Sequence, residues 1–241
     1  MGQNSSYDYN TSFEKIKRLV DFDNKKNLKI LDVACGDGRI SQALIKMSHQ
    51  VYGVDSDPHA VEVANQVGLN CKESNIEEVI PFEDNFFDII LVLDILEHIN
   101  NPKDFLIDVK SKLKSDGQIL ISIPNHFDLR NRLRILLGKG IIHWAHRNFS
   151  NAKSWMYPHI RFYRQKELIE LLSSVGLHVS RVQYNFMAGG LIPARLTPSF
   201  LRKSLLKLWP NLLSGKFVFN VSQNKNSKTE KIYLSKTPFN F

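Results

Sequence analysis

Short apolar runs alternate along the chain with segments whose apolar residues recur at helical spacing. Such runs are typical of buried strands, and the segments between them place their apolar residues on one face of a helix. The predicted strands are 29–34, 50–54, 69–72, 87–93 and 118–123. The predicted helices between them are 39–47, 58–67 and 103–113. Strands and helices that alternate at this spacing predict an open, doubly wound parallel sheet with helices on both faces.

The last third of the chain continues this pattern less regularly. A helix is predicted over 165–175, and strands are predicted over 177–184 and 216–221. No regular crossover helix separates these two strands, so the last one is predicted to run antiparallel. The fold class is therefore α/β, with a mostly parallel seven-stranded sheet. We expect a single domain over 1–241, with insertions at about 126–164 and 185–215 that shape a substrate site.

The composition is that of an ordinary globular protein with an excess of positive charge. Hydrophobic residues make up 43% of the 241 residues, and the formal net charge is +8. This excess favours an anionic partner, such as a phosphorylated small molecule, an anionic lipid surface or a nucleic acid. The two cysteines offer no disulfide framework, and we find no apolar leader and no membrane-spanning apolar run. We expect a cytoplasmic protein.

The stretch KILDVACGDGRI, residues 29–40, joins the first predicted strand to the first predicted helix. Gly36 and Gly38 flank an acid at this junction. Glycine allows a tight turn and lets a ligand approach the backbone, and the helix beyond offers free N–H groups. The loop is therefore a candidate ligand site, although a plain turn between strand and helix explains two glycines equally well.

An acid at the end of the second strand favours the ligand interpretation. Asp55 lies seventeen residues after Gly38, where a carboxylate accepts hydrogen bonds from both hydroxyls of a ribose. Nicotinamide-binding domains share such an acid, but their third glycine would fall at Ser41. Asp32 and Asp37 in the loop also suit a cationic group of a ligand better than a pyrophosphate.

Several segments, in order, resemble class I S-adenosylmethionine-dependent methyltransferases. ILDVACGDG is similar to the first motif of that family, and VYGVDSD is similar to the second. Three further blocks resemble the fourth strand, the fifth strand and a late helix of the family; they are PFEDNFFDIILVLDILEHI, LKSDGQILISIPN and HIRFYRQKELIELLSSVGL. The resemblance covers roughly residues 28–184. It implies a Rossmann-like methyltransferase fold and the cofactor S-adenosyl-L-methionine.

The resemblance also implies the residues that hold the cofactor. Gly36 and Gly38 would contact its methionine part, and Asp32 would lie beneath its amino group. Asp55 would bind the ribose hydroxyls, with Ser56 beside the adenine.

Two further corners of the cofactor site follow from the same resemblance. The family has an acid after the third strand that accepts the adenine amino group. Asn75 takes that place here, followed by Ile76, so the charge is lost and a carbonyl acceptor remains. Leu93 and Asp94, at the end of the fourth strand, would close the methionine end.

A hydroxyl acceptor gains from a general base, for which histidine is the usual residue. His98 follows the fourth strand, within an LEH triplet that resembles that of ubiquinone-biosynthesis O-methyltransferases. His126 follows the fifth strand and is the second candidate. Glu97 and His98 are adjacent rather than four residues apart, so we predict no metal site.

The segment 128–155 interleaves basic and apolar residues and predicts a pocket for an anionic acceptor with an apolar part. Its candidate substrate-binding residues are Arg130, Arg134 and Trp144, with His159 beyond them; a solvated basic lid is the alternative. This block is similar to methionine-biosynthesis methyltransferase-like proteins and to methyltransferases of surface-glycan gene sets. That similarity implies sugar or other small-molecule acceptors.

Residues 199–213 carry apolar residues at helical spacing, with basic residues on the other face. Such a stripe either packs against the core or lies on an anionic membrane surface, where it would serve a lipid-linked acceptor. We expect no specific nucleic acid partner, because no recognisable nucleic-acid-binding module accompanies the charge.

Three functions remain open from the sequence. The first is a methyltransferase that acts on a hydroxyl of a small, sugar or lipid-linked acceptor. The second is a non-catalytic relative that binds a partner, for which the Asn75 departure leaves room. The third is a nicotinamide-dependent oxidoreductase, which Ser41 and the acids of the loop disfavour.

Overall fold

The computed structural model describes residues 27–141, 158–186, 198–225 and 229–234. The strands are β1 (Lys29–Val33), β2 (Gln50–Asp55), β3 (Asn70–Glu73), β4 (Phe87–Leu93), β5 (Leu113–Pro124), β6 (His178–Phe186), β7 (Ser214–Ser222) and β8 (Glu230–Leu234). The helices are α1 (Arg39–Lys46), α2 (Pro58–Gln66), α3 (Pro102–Lys112), α4 (Leu129–Leu136), α5 (Gln165–Ser174), α6 (Ser199–Leu208) and α7 (Pro210–Leu213). A 3₁₀ turn, Leu96–His98, follows β4.

The strands form one sheet in the order β3-β2-β1-β4-β5-β7-β6-β8. The pairs among β1 to β5 are all parallel, whereas β7 is antiparallel to both β5 and β6. The prediction of a mostly parallel, doubly wound sheet is therefore confirmed, and so is the antiparallel direction of the strand around 216–221.

The sheet has eight strands in the described part of the chain, rather than the expected seven. The additional strand, β8, pairs with β6 in parallel at the edge of the sheet. Its first two residues, Glu230 and Lys231, are charged. An edge strand needs backbone pairing along one side only, so a polar sequence is no obstacle to it.

β5 begins earlier than the sequence indicated. The predicted strand began at Gln118, after a turn at 116–117, whereas the structure extends the strand from Leu113. Phe87 pairs with Leu113 and Ile89 pairs with Gln118, so the register shifts over this stretch. The turn residues are thus accommodated as an irregularity within the strand.

The apolar residues of the central strands divide between the two faces of the sheet. On β4, Ile90 and Val92 belong to the larger core cluster, whereas Ile89 and Leu91 belong to the smaller one. Helices cover both faces, so successive side chains of the strand are all buried, and this explains the continuous apolar run of β4.

Parallel pairing places the carboxyl ends of β1, β2, β4 and β5 along one edge of the sheet. The glycine loop, the acid after β2, the 3₁₀ turn and the segment that begins with Asn125 all follow these ends. The first insertion supplies α4, and the second supplies α6 and α7. None of the helices among the described residues has the length and apolar character to cross a membrane.

Candidate functional site

The glycine loop leaves β1 with its backbone in the left-handed region. Ala34, Gly36 and Gly38 have φ angles of 53°, 54° and 74°. A Cβ placed on Gly36 would meet nothing within 4 Å, so open space adjoins this backbone. A Cβ on Gly38 would lie 3.4 Å from the side chain of Leu69. Gly36 therefore borders a cradle for a ligand, while Gly38 allows the turn and its close packing.

Asp55, at the end of β2, organises this loop. Its Oδ2 accepts a hydrogen bond from the Gly36 N–H at 2.8 Å, and its Oδ1 accepts one from the Asp57 N–H at 3.0 Å. Each carboxylate oxygen has a second lone pair and can still accept a hydroxyl. Asp57 also caps α2 by accepting from the His59 N–H. Ser56, between the two acids, is exposed.

Asp32 is buried beneath the loop. The hydroxyl of Ser41, on α1, donates to its Oδ2 at 2.7 Å. Burial raises the pKa of Asp32 to about 6, although the Ser41 hydrogen bond acts in the opposite direction, and the charge of Asp55 raises the pKa further. A cationic group nearby would stabilise the ionised form of this carboxyl.

Two thiols pack under the same loop. Cys35 Sγ lies 3.4 Å from Cys71 Sγ, and Gly53 leaves room for both, because a Cβ there would be 2.7 Å from Cys35 Sγ. Burial raises the pKa of the Cys35 thiol, and the charge of Asp32 raises it further. Cys35 is therefore a packing residue and not a nucleophile.

Asn75 and Ile76 follow β3, next to the acid of β2. Asn75 is exposed, and its Oδ1 accepts a hydrogen bond from the Glu77 N–H at 3.1 Å while its Nδ2 donates to Glu78. Ile76 packs against the larger core cluster. The polar atoms of Asn75 thus stabilise the turn, and its carbonyl oxygen keeps one lone pair for a ligand.

Asp94 marks the corner after β4. Its φ is 57°, and its two carboxylate oxygens accept from the Ser122 hydroxyl at 2.9 Å and from the Lys216 ammonium. Lys216 lies on β7 and is distant in the sequence. Leu93, the last residue of β4, is half-buried beside this corner. The ion pair fixes a carboxylate at the edge where the cofactor residues meet.

Beyond this corner, one acid and three histidines lie together. His126 Nε2 is 2.8 Å from His159 Nδ1, and His159 Nε2 is 3.9 Å from Glu97 Oε1. The rings of His98 and His159 meet edge to face, with centroids 4.7 Å apart. Both predicted catalytic histidines, His98 and His126, are therefore close to His159, which we had predicted as a substrate-binding residue. We call these four residues the histidine cluster.

Backbone hydrogen bonds hold the cluster in place. The N–H groups of Ile160 and Arg161 both donate to the carbonyl oxygen of Glu97, at 3.0 and 3.1 Å. The Arg161 guanidinium also donates to the carbonyl oxygens of Ile99 and Asn100. The segment that carries His159 is thus attached along the 3₁₀ turn that carries Glu97 and His98.

Burial changes the ionisation of two members of the cluster. Glu97 is only 1% exposed, and its burial raises its pKa to about 8, with the charge of Asp94 adding to the effect. Burial lowers the pKa of His126 to about 4, and the nearby His98 lowers it further. His126 is therefore neutral at neutral pH.

The two predicted arginines are both on α4. Arg130 is in the first turn of α4, beside Asp128, whose side chain caps this helix. Arg134 is in the last turn and donates through Nε to the Gly140 carbonyl at 3.0 Å. Trp144 lies outside the described residues, so its predicted role stays a prediction.

A cleft of about 360 Å³ opens next to the segment that carries His126, between α4, α5, α7 and β7. Asn125 and Phe127, which flank His126, both line it. Its basic lining residues are Arg132, Arg164 and Lys166, and its acidic ones are Glu167 and Glu170. Arg164 pairs with Glu167. The sequence indicated a basic pocket in this region but named other arginines.

Three residues of the site were missed from the sequence. Glu97 and Ser41 were noted only for their neighbours or spacing, and Lys216 was not singled out. An acid next to a candidate base is a signal that could have identified Glu97. No local pattern connects Lys216 to Asp94, because the contact depends on the pairing of β5 with β7.

Comparison with known proteins agrees with this geometry. The family model described as a methyltransferase domain matches residues 6–182. A ubiquinone biosynthesis O-methyltransferase from Rickettsia canadensis is 26% identical over 168 residues, which are 67% of this chain and 67% of that protein. A second, from Rickettsia akari, is 25% identical over 65% of this chain and 61% of its own length. The chain thus spans about two thirds of the length of these relatives.

Solved structures of similar fold cover nearly the whole chain. An S-adenosylmethionine-dependent methyltransferase from Archaeoglobus fulgidus matches with a TM-score of 0.62 and 15% identity, over 88% of this chain and 93% of that one. One from Aquifex aeolicus matches with a TM-score of 0.57 and 20% identity, over 90% and 93%. These structures agree with the fold of this chain. The family match over residues 6–182 shows that the chain belongs to the methyltransferase-domain family, and the residues around the glycine loop fit S-adenosylmethionine as the methyl donor of such an enzyme.

Proposed function

We propose that this enzyme methylates a hydroxyl group of a small, sugar or lipid-linked acceptor that carries an anionic part. The observation that carries the proposal is the histidine cluster, which lies beyond the Asp94 corner at the edge of the sheet where the cofactor residues meet. The relatives named as ubiquinone biosynthesis O-methyltransferases support a hydroxyl acceptor.

The residues around the glycine loop fit the cofactor. Gly36 borders open space, Asp55 has lone pairs for two ribose hydroxyls, and the Asp32 carboxyl lies beneath the loop, where an amino group would stabilise its charge. When bound, S-adenosylmethionine supplies a methyl group that is already activated by a sulfonium. The protein then has to align the acceptor and exclude water.

A hydroxyl must lose its proton as the new bond to oxygen forms, and the cluster suits this need. His126 is neutral at neutral pH, so its Nε2 can accept a hydrogen bond from His159 and orient that ring. His98 is exposed, so an acceptor can reach it from solvent. Amine acceptors would need less help from such a group.

The cleft next to the segment that carries His126 supports an acceptor with an anionic part. Arg132 supplies positive charge, whereas Arg164 and Lys166 are paired with Glu167 and Glu170. Phe127 and Phe217 supply apolar surface. An acceptor held there would have its hydroxyl next to the segment that carries His126. The basic excess of the whole chain would raise the rate at which an anionic acceptor arrives.

We also propose that α6 contacts an anionic membrane surface. Leu206 is buried and Leu205 packs against the core, so part of the predicted apolar stripe serves packing. Phe200 and Leu208, however, are 71% and 67% exposed, and Trp209 beside them is also exposed. Large apolar side chains next to lysines are typical of helices that lie in the lipid interface. Asn211 of the adjoining α7 lines the cleft, so lipid-linked acceptors would reach it directly.

Replacing Asp55 tests the cofactor site. We expect Asp55→Ala to weaken S-adenosylmethionine binding by at least about tenfold, because two charge-assisted hydrogen bonds are lost. Asp55→Asn retains one acceptor oxygen and should have an intermediate effect. Calorimetric titration measures both, and Asp116→Ala, at an exposed acid far from the loop, is the matched control. If Asp55→Ala binds S-adenosylmethionine with unchanged affinity, Asp55 does not bind the cofactor.

The buried Asp32 carboxyl predicts a pH dependence of cofactor affinity. Its pKa of about 6 means that the carboxyl is mostly ionised above pH 6 and mostly protonated below it. An amino group binds the ionised form, so affinity should fall about tenfold from pH 7 to pH 5. Asp32→Asn should bind more weakly at pH 7 and show little change over this range. Equal pH profiles for the two proteins would contradict the role of Asp32.

Product analysis tests the acceptor. We expect the labelled methyl group of S-adenosylmethionine to appear as a methyl ether when hydroxylated aromatic and glycosidic acceptors are supplied. His98→Ala should lower kcat at least about tenfold while cofactor affinity is unchanged, because the lost group acts on the acceptor. His178→Ala, on β6, serves as the control. Transfer only to amines or thiols would overturn the assignment of a hydroxyl acceptor.

Vesicle sedimentation tests the membrane contact. We expect the protein to sediment with vesicles that contain phosphatidylglycerol but not with pure phosphatidylcholine, and added salt should release it. Phe200→Ser with Trp209→Ser should abolish sedimentation. Ile107→Ser removes another large exposed apolar residue, from α3, and should have no effect. If the α6 substitutions leave sedimentation with the vesicles unchanged, α6 is not the membrane contact.

A further inference from the structure

Three residues of the histidine cluster have the composition of a metal site. Glu97, His98 and His159 each offer one ligand atom, and these atoms lie within 4.8 Å of one another. The sequence did not indicate this grouping. Glu97 and His98 are adjacent, which is not a usual metal-binding spacing, and His159 lies near the far end of the first insertion. Hydrogen bonds from Ile160 and Arg161 to the Glu97 carbonyl bring the three together.

The distance between two of these atoms fits a shared ion better than a direct contact. His159 Nε2 and Glu97 Oε1 are 3.9 Å apart, which is too long for a hydrogen bond. Two ligand atoms on one first-row ion, each bound at about 2.1 Å, lie roughly 3 to 4 Å apart. The observed spacing therefore matches a shared ion between them.

A buried oxygen provides a second, independent observation. Glu97 is 1% exposed, and among the described residues its Oε2 has no hydrogen-bond partner. A buried carboxylate oxygen without a partner is costly and calls for an explanation. A cation bound at the cluster would satisfy it.

The two imidazoles are oriented by their neighbours as metal ligands usually are. His98 Nδ1 is 3.2 Å from the Pro158 carbonyl oxygen, which only accepts, so the proton is on Nδ1 and the Nε2 lone pair is available. His159 Nδ1 contacts His126 Nε2 at 2.8 Å. When His159 donates in that bond, its own Nε2 lone pair faces Glu97. His126 is then the positioning residue behind a ligand.

We propose that Glu97, His98 and His159 bind one divalent first-row transition-metal ion, with His126 orienting His159. Two histidines and one carboxylate leave coordination positions open for other oxygen ligands. Because His98 is exposed, an open position is accessible from solvent. The inference rests on the proposed function only for the ion's role, which is to bind the acceptor hydroxyl and lower its pKa, so that its proton leaves more readily.

Titration of the full chain with Co²⁺ tests the site without any acceptor. We expect one equivalent to bind, with visible absorption bands of a nitrogen- and oxygen-coordinated ion, and Zn²⁺ to displace it. His98→Ala and Glu97→Gln should each weaken Co²⁺ binding at least about tenfold. Because His98 is exposed, its replacement should leave the buried packing intact, so a loss of Co²⁺ binding in His98→Ala can be assigned to the lost ligand. His59→Ala and His178→Ala, at histidines outside the cluster, should bind Co²⁺ as the wild type does.

Cofactor binding separates this proposal from the proposed function. Asp55→Ala should keep the Co²⁺ site and lose S-adenosylmethionine, whereas His98→Ala should do the reverse. Absence of a Co²⁺ equivalent in the wild type would overturn the metal site while leaving the methyltransferase site intact. Unchanged Co²⁺ binding in both His98→Ala and Glu97→Gln would also overturn the proposed metal site.

Discussion

The site depends on the parallel pairing of β1 with both β2 and β4. This pairing places the glycine loop, Asp55 and the Asp94 corner at one edge of the sheet, although they come from three separate stretches of chain. A register slip of one residue would turn Asp32 away from Ser41 and replace it with an apolar side chain. The two core clusters, one on each face, prevent such a slip, because it would expose the apolar residues of β1 and β4.

A second constraint is the attachment of the segment after residue 157 to the 3₁₀ turn. Two backbone N–H groups share the Glu97 carbonyl, and Tyr163 donates to the Leu96 carbonyl. These bonds bring His159 against Glu97 and place the histidine cluster beside the cofactor corner. The predicted cofactor residues thus lie on the sheet edge, and the histidine cluster forms where the inserted segment meets that edge.

The sequence predicted the sheet and located the glycine loop because their signals are local. The apolar runs of β1 and β4 and the spacing from Gly38 to Asp55 depend only on nearby residues. The histidine cluster was predicted in part, since His98 and His126 each follow a strand at the correct edge. Its contact with His159 and the Asp94–Lys216 pair could not be predicted, because they depend on how distant segments meet in three dimensions. β8 was missed because pairing at an edge requires no apolar pattern.

The Asp94–Lys216 pair also has a consequence for the order in which the protein matures. Asp94 is made early, but its partner is on β7, which is 122 residues later in the chain. During synthesis the first five strands are made before β7, so the Asp94–Lys216 pair forms only after β7 has inserted between β5 and β6. A nascent chain would therefore have its glycine loop before Asp94 has this partner, which delays completion of this edge of the sheet until the last part of the sheet has been translated.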